Sequence, residues 1–274
     1  MLRFLLFLLL GNLACVAPSQ MISPTATEAL NGFTLSPTEV TLQYMATEPT
    51  TAWETIAAGM ERRIVYPNDE LSLQMVVIRI DPQLFHFRAH ADPGAPKTVG
   101  EWRDLYSAAE LIINANFFDP AYQILGLLIS DAVVYGNPYT TRGGTFYVGA
   151  DQRTVSMVYN LDSPYQGGDY WQAVQAFPML VYNGQAIYFN ENDVRPSRRT
   201  VIAMDWDGKV LIMATPVFGL GLYPLGQYLA QSDLNLMHAF NLDGGGSTLM
   251  WVKPSQYTLA SVDAVPAILA VYPN

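Results

Sequence analysis

Residues 200–215 read TVIAMDWDGKVLIMAT, two apolar runs joined at Asp207-Gly208. An Asp-Gly pair between hydrophobic segments is the strongest short-range hairpin signal, because glycine takes up the positive φ that a tight reversal demands. Other stretches carry the same signature. LSLQMVVIRI (71–80) and LFHFRAHA (84–91) are β-branched or aromatic and are separated by DPQ, and GGTFYVGADQRTVSMVY (143–159) reads as a second hairpin. Helices are fewer. TVGEWRDLYSAA (98–109) opens with Thr98 and Glu101 at capping-box spacing, and LGQYLAQSDL (225–234) is the other helical pattern. Many strands, two helices and no regular strand-helix alternation predict an α+β fold: one domain with a mixed or antiparallel sheet core and flanking helices.

With half of its 274 residues apolar, the chain can build a substantial core. Lys and Arg number 14 against 24 acidic residues, a net charge of −10, which argues against nucleic acid and against a general attraction to anionic membranes. An anionic ligand would have to be held locally. The first residues, MLRFLLFLLLGNLACVAPSQ, have one early cation, a short apolar run and then small residues, the order of a secretory signal over residues 1–17. NLAC resembles a bacterial lipobox, in which Cys15 would carry the lipid. Plain secretory cleavage and an uncleaved chain with a buried Cys15 are the alternatives. Residues 18–50 are rich in Thr, Pro and Ser and read as a tether, leaving 51–274 as the functional domain. The expected location is extracytoplasmic, in a bacterial cell envelope by lipid anchor or secreted, with membrane contact through the N-terminal lipid alone.

Four stretches could carry chemistry. NLDGGGST sets Asp243 before Gly244, Gly245 and Gly246 and the hydroxyls of Ser247 and Thr248. Successive glycine amides at a strand end suit an oxyanion or a phosphate. The stretch lacks the lysine of a P-loop and the spacing of a dinucleotide fingerprint. RPSRRT places Arg195, Arg198 and Arg199 together in a chain poor in cations, and guanidinium groups grip phosphate bidentately. NANFFD (114–119) ends an apolar strand with two amides and an acid, and GLLISDA (126–132) ends another with Asp131. Each also reads as ordinary turn chemistry. His86 and His90 are an i, i+4 pair within a strand pattern, a poor zinc signature, and Ser247 lacks a nucleophile elbow.

Taken in order, NANFFD, GLLISDA, QAFPMLVYNG, RRT and NLDGGGST resemble the phosphodiester glycosidase family over about residues 60–272. The family's animal members remove N-acetylglucosamine to uncover mannose 6-phosphate, and it has many bacterial members. The resemblance implies a catalytic set of Asp243, Asp119 and Arg199. It further implies substrate contacts from Asn114, Asn116, Asp131, Gln175, Thr200, Gly244, Gly245, Gly246, Ser247 and Thr248. Three positions depart from the pattern: Ala132 replaces a glycine, and Asp263 and Ala267 stand where an arginine and an asparagine are common.

The implied reaction is hydrolysis of a sugar-1-phosphodiester in envelope or extracellular glycans. Its leaving group departs readily, so neutralising developing phosphate charge matters more than protonating it, while a carboxylate stabilises the oxocarbenium or activates water. No cofactor is called for. Asn114, Asp119 and Asp243 are hard oxygen donors, which keeps a divalent cation as a secondary option with no metal ligand assigned. The competing readings are a non-catalytic glycan-binding lipoprotein and a metal-dependent phosphodiesterase.

Overall fold

The computed structural model describes residues 52–274, so the signal segment, Cys15 and the tether lie outside the described residues. Strands dominate, and every pairing is antiparallel. An eight-stranded sheet runs in the spatial order Glu54–Ala57, Met60–Val65, Met75–Ile80, Val210–Ala214, Thr200–Asp205, Leu236–Asn241, Met179–Tyr182, Gln185–Ala186. A second sheet orders Val133–Tyr135, Leu128–Ser130, Tyr170–Ala176, Gly144–Gly149 and Val155–Tyr159. The third orders Tyr257–Leu259, Met250–Val252, Leu111–Asn114, Ala267–Pro273 and Phe85–Ala91.

The largest apolar cluster gathers inward residues from all three sheets, among them Ile78, Ile202 and Phe240, Phe146 and Val174, and Phe87, Ile113 and Leu269. On the first and third sheets the intervening residues face outward, where the two helices cover them. Leu222–Gln231 places Leu225 and Leu229 on Val201, Ala203, Leu211 and Ala239. Val99–Leu105 places Val99 and Trp102 on Ile112, Ile268 and Ala270, and Trp102 Nε1 donates to the Val265 carbonyl at 3.1 Å. Covering both faces explains why the central strands read as continuous apolar runs rather than as an alternation.

Local signals mostly acted as the sequence suggests. Thr98 and Glu101 form both halves of the capping box. The Asp207-Gly208 reversal is longer than a two-residue turn, because Asp205 Oδ1 accepts the amides of Asp207 (3.0 Å) and Lys209 (2.8 Å) and ends the strand early. Leu71–Leu73 is a short 3-10 turn rather than part of the following strand, which begins at Met75. The helical contribution to the α+β reading is therefore slight, two helices against three antiparallel sheets.

Asp131 and Ala132, which turn the chain between two strands of the second sheet, have φ of 50° and 64°. Ala132 thus occupies the left-handed conformation for which its relatives' glycine is suited, held by its N–H to the Trp171 carbonyl at 2.9 Å. A Cβ in that region costs about 1 kcal/mol. Ala132→Gly is expected to raise Tm by about 1 °C in a thermal melt, the strain relieved slightly outweighing the added chain entropy.

Candidate functional site

The strand Leu236–Asn241 lies inside the largest sheet and stops beside the end of Leu111–Asn114 from the third sheet. The junction is hydrogen-bonded. Asp243 N–H donates to the Ala115 carbonyl at 3.1 Å, and Asn114 Nδ2 donates to the Asp243 carbonyl at 2.7 Å. Asn114 Oδ1 accepts from Thr200 Oγ1 (2.8 Å) and from the Leu249 amide (3.1 Å). One buried amide thus joins three chain segments, which makes Asn114 and Thr200 builders of the site rather than exposed substrate ligands.

The three glycines do not present a row of open amides. Gly244 N–H donates to Oδ1 of Asp243 at 2.9 Å, and Gly245 N–H donates to the Arg198 carbonyl at 2.8 Å. Of the three, Gly246 N–H alone has no partner among the described residues. Gly245 has φ of 61°, so the turn needs its freedom. At Gly246 a Cβ would overlap the carboxylate of Asp263, whose backbone amide, with that of Val262, bonds the Gly246 carbonyl at 3.0 and 2.7 Å. The glycine run is thus a means of bringing the Arg198 backbone and the Asp263 carboxylate against the turn that follows Asp243.

That crowding sets the electrostatics. Burial pushes the Asp243 carboxyl up to about 6, the negative charge of Asp263 adds to the rise, and bonds from Ser247 and the Gly244 amide oppose it. Arg198 spans the other side, its Nη2 donating to the carbonyls of Thr248 (2.7 Å) and Ala260 (2.9 Å). Arg199 points elsewhere, bracing the neighbouring loops through Leu220 (3.0 Å) and Arg195 (3.1 Å) carbonyls. Burial lowers the pKa of both guanidiniums, and neither forms an ion pair among the described residues. Arg198 Nε and Thr248 Oγ1 are buried without a partner. Orphaned polar atoms beside an uncompensated cation are a recurrent property of ligand sites.

Other sequence candidates have structural employment. Asp119 Oδ1 accepts the amides of Ala121 (2.8 Å) and Gln123 (2.9 Å), closing its own turn. Gln175 is fully buried and bonds Leu127, Tyr139 and Thr145, leaving nothing for a substrate. Asn116 spends its Nδ2 on the carbonyls of Leu125, Leu127 and Gln175. Asp131 pairs with Arg88 at 2.6 Å and accepts from Gln172 at 2.7 Å. It lines an open groove of about 1010 Å³ to which Asp243, Arg198 and the glycines contribute nothing. The oxygen-donor set of Asn114, Asp119 and Asp243 is likewise divided among these separate tasks.

Asp263 was legible only as a departure from the family pattern, and Ser197, whose hydroxyl would lie 3.6 Å from a Cβ at Gly245, was not legible at all. Both reach the turn from segments remote from it or opposite it in sequence. No local spacing marks such residues.

The Asp243 carboxyl also affects stability. Its ordinary value is 3.8, so between about pH 4 and 6 the folded chain holds a proton that the unfolded chain has released. Above pH 6 the buried charge costs up to about 3 kcal/mol. Asp243→Asn is therefore expected to raise Tm by about 5 °C at pH 8, with the gain vanishing below pH 4; thermal melts across pH check both the sign and the window.

Comparison with known proteins bears on the fold and the family. No curated protein matches the sequence significantly. The fold is similar to that of the zebrafish N-acetylglucosamine-1-phosphodiester alpha-N-acetylglucosaminidase catalytic domain, auto-inhibited by pro-peptide, at 19% identity and a TM-score of 0.62, over 82% of this chain and 87% of that one. It is also similar to a hypothetical protein from Synechocystis at 16% identity and a TM-score of 0.61, over 84% of this chain and 65% of that one. The phosphodiester glycosidase family model matches residues 107–272, which include Asn114, both arginines and the whole glycine turn. The chain belongs to the phosphodiester glycosidase family.

Proposed function

We propose that the protein hydrolyses a sugar-1-phosphodiester at the bond between the anomeric carbon and the phosphate oxygen, in envelope or extracellular glycans. The observation that carries this reading is a part-buried carboxyl, Asp243, with its pKa raised to about 6 at the head of a turn whose Gly245 amide bonds the Arg198 carbonyl, Arg198 carrying a guanidinium that forms no ion pair among the described residues. At neutral pH Asp243 is ionised but retains appreciable basicity, which suits a group that takes a proton from an attacking water. Water adds to the anomeric carbon, the carbon–oxygen bond breaks, and the phosphate monoester leaves with the bonding electrons. Arg198 and the Gly246 amide offer positive charge and a donor to that departing phosphate. Asp263 serves by keeping Asp243 basic through its own negative charge. Asp119 has no role in this scheme.

A second reading keeps the site without turnover, as an envelope glycan-binding lipoprotein. Asp263 favours it, since it sets an acid where many relatives have an arginine. Turnover decides between the two.

Purified protein is expected to release sugar from a sugar-1-phosphodiester, and in isotopically labelled water the label is expected on the sugar, with label on phosphate indicating a phosphodiesterase instead. Activity in kcat/KM is expected to fall as pH drops through about 6, because the base must be ionised; a loss above pH 6 would assign Asp243 the opposite role. Asp243→Asn is expected to lose turnover at every pH. Arg198→Ala is expected to lose about 100-fold in kcat/KM on phosphodiesters, about 2.7 kcal/mol, and far less on aryl glycosides, whose leaving groups carry no phosphate.

A further inference from the structure

Asp131, at the end of GLLISDA, and the pair His86 and His90 take no part at Asp243; the structure gathers them around two adjoining cavities elsewhere on the third sheet. Asn114, bonded to Asp243, pairs with Ile268 near the start of the last strand, whereas Phe85 pairs with Pro273 at the other end of it. Six residues separate Ile268 from Asn274, roughly 20 Å of extended chain. At this far end the open groove of about 1010 Å³ is bordered by the strand Phe85–Ala91, by the Asp131 turn, and by the hairpin that joins Gly144–Gly149 to Val155–Tyr159.

Phe85–Ala91 is an edge strand, and four consecutive residues of it, Phe85 to Arg88, line the groove. On its free side the Ala89 amide is taken by Gln172 Oε1 at 3.0 Å, and the Phe85 amide by the Asp81 carbonyl at 3.2 Å. Alternation along an antiparallel ladder turns Phe87 the same way, and its N–H and C=O have no partner among the described residues. One free donor and one free acceptor are too few to seat a peptide strand, which needs a run of them, but they match a hydroxyl, which gives and takes a bond.

The side chains around that edge suit sugar as well. Gln83, Gln152 and Asn274 bring carboxamides, which carry a donor and an acceptor side by side. Trp171 and His86 bring rings, the kind of surface on which the C–H face of a pyranose packs. Charge is balanced: Arg88 pairs with Asp131 at 2.6 Å and Arg153 stands two residues from Asp151, so two guanidiniums meet two carboxylates. The Arg88–Asp131 pair also borders the second cavity, a cleft of about 420 Å³ lined by His90, Tyr106 and Tyr272. Rings connect the two, since Tyr272 stacks on His86 at 5.4 Å and its hydroxyl lies 2.8 Å from Nε2 of His90, itself stacked on Tyr106 at 3.7 Å. The groove alone reaches the top of the roughly 300–1,000 Å³ of small-ligand pockets, so a run of sugars fills it better than one.

We propose that this groove is a second carbohydrate site, which binds a run of neutral sugar residues and does no chemistry on them. It holds a glycan at the end of the third sheet remote from Asp243, and it stands or falls apart from the glycosidase reading.

Calorimetry on the full chain compares the β-1,4-linked hexasaccharides of glucose, mannose and N-acetylglucosamine with their monosaccharides. At least one hexasaccharide is expected to bind about tenfold or more tightly than its monosaccharide and to change the tryptophan fluorescence, the change being lost in Trp171→Phe. The Gln83→Ala/Arg153→Ala double variant removes two exposed side chains that bond nothing among the described residues, and is expected to weaken that hexasaccharide about tenfold, the worth of one or two hydrogen bonds. Asp243→Asn is expected to bind it unchanged, whether or not the native chain turns over a sugar-1-phosphodiester. Failure of all three hexasaccharides to bind would overturn the proposal. So would binding that the double variant leaves intact or that Asp243→Asn abolishes, since the sugar would then sit elsewhere, and so would a galacturonate hexamer bound while the neutral ones are not, which would make the groove an anion site.

Discussion

The buried side-chain amide of Asn114 is the constraint on which the site depends. It lies at the end of a strand of the third sheet, yet its three partners, Thr200, Asp243 and Leu249, belong to the largest sheet, to the turn that leaves it and to the chain beyond that turn. Asparagine suits the position because it offers a donor and an acceptor from one short planar group. A buried amide with both ends satisfied is geometrically demanding, and removing it would leave a carbonyl and an amide unpaired in the interior, each at about 1–3 kcal/mol. The sheets are thus brought into register at the point where chemistry is proposed.

From that junction the electrostatics follow. Asp243 cannot move into solvent because its backbone is held on both sides, by Ala115 through its amide and by Asn114 through its carbonyl. Its carboxyl is therefore titrated in a confined space next to another acid, while the Arg198 guanidinium spends its own hydrogen bonds on the Thr248 and Ala260 carbonyls. Arg198 is fixed in place by neutral acceptors, so its charge is not consumed by its support. Structural bracing and an available charge coexist in one residue, and the same holds for the glycines, which serve as hinge and contact surface more than as amide donors.

The sequence was a good guide to elements and a partial guide to the site. Strand positions, the capping box at Thr98 and Glu101, and the importance of Asp243 could be read locally, because β-branched runs, capping geometry and glycine next to an acid each express a short-range preference. Asp119, Gln175 and Asn116, whose side chains bond neighbouring backbone, share a property: a polar residue ending or filling a strand looks the same whether its partners are backbone groups or a ligand. Motif resemblance selected these residues because their types match the family's pattern. It could not say whether that type serves the fold or the substrate.

What the chain determined by itself is its secondary structure, its apolar faces and the presence of a tight, acid-bearing glycine turn, all consequences of side-chain shape and backbone freedom over a few residues. What the tertiary structure alone decided is which groups meet there. Asp263 lies 20 residues beyond Asp243, and Arg198 lies just before the strand Thr200–Asp205 with its carbonyl on the Gly245 amide, so the raised carboxyl and the groups around its turn meet because the sheets close on one another. Burial and charge proximity are sums over space, and no window of sequence contains them.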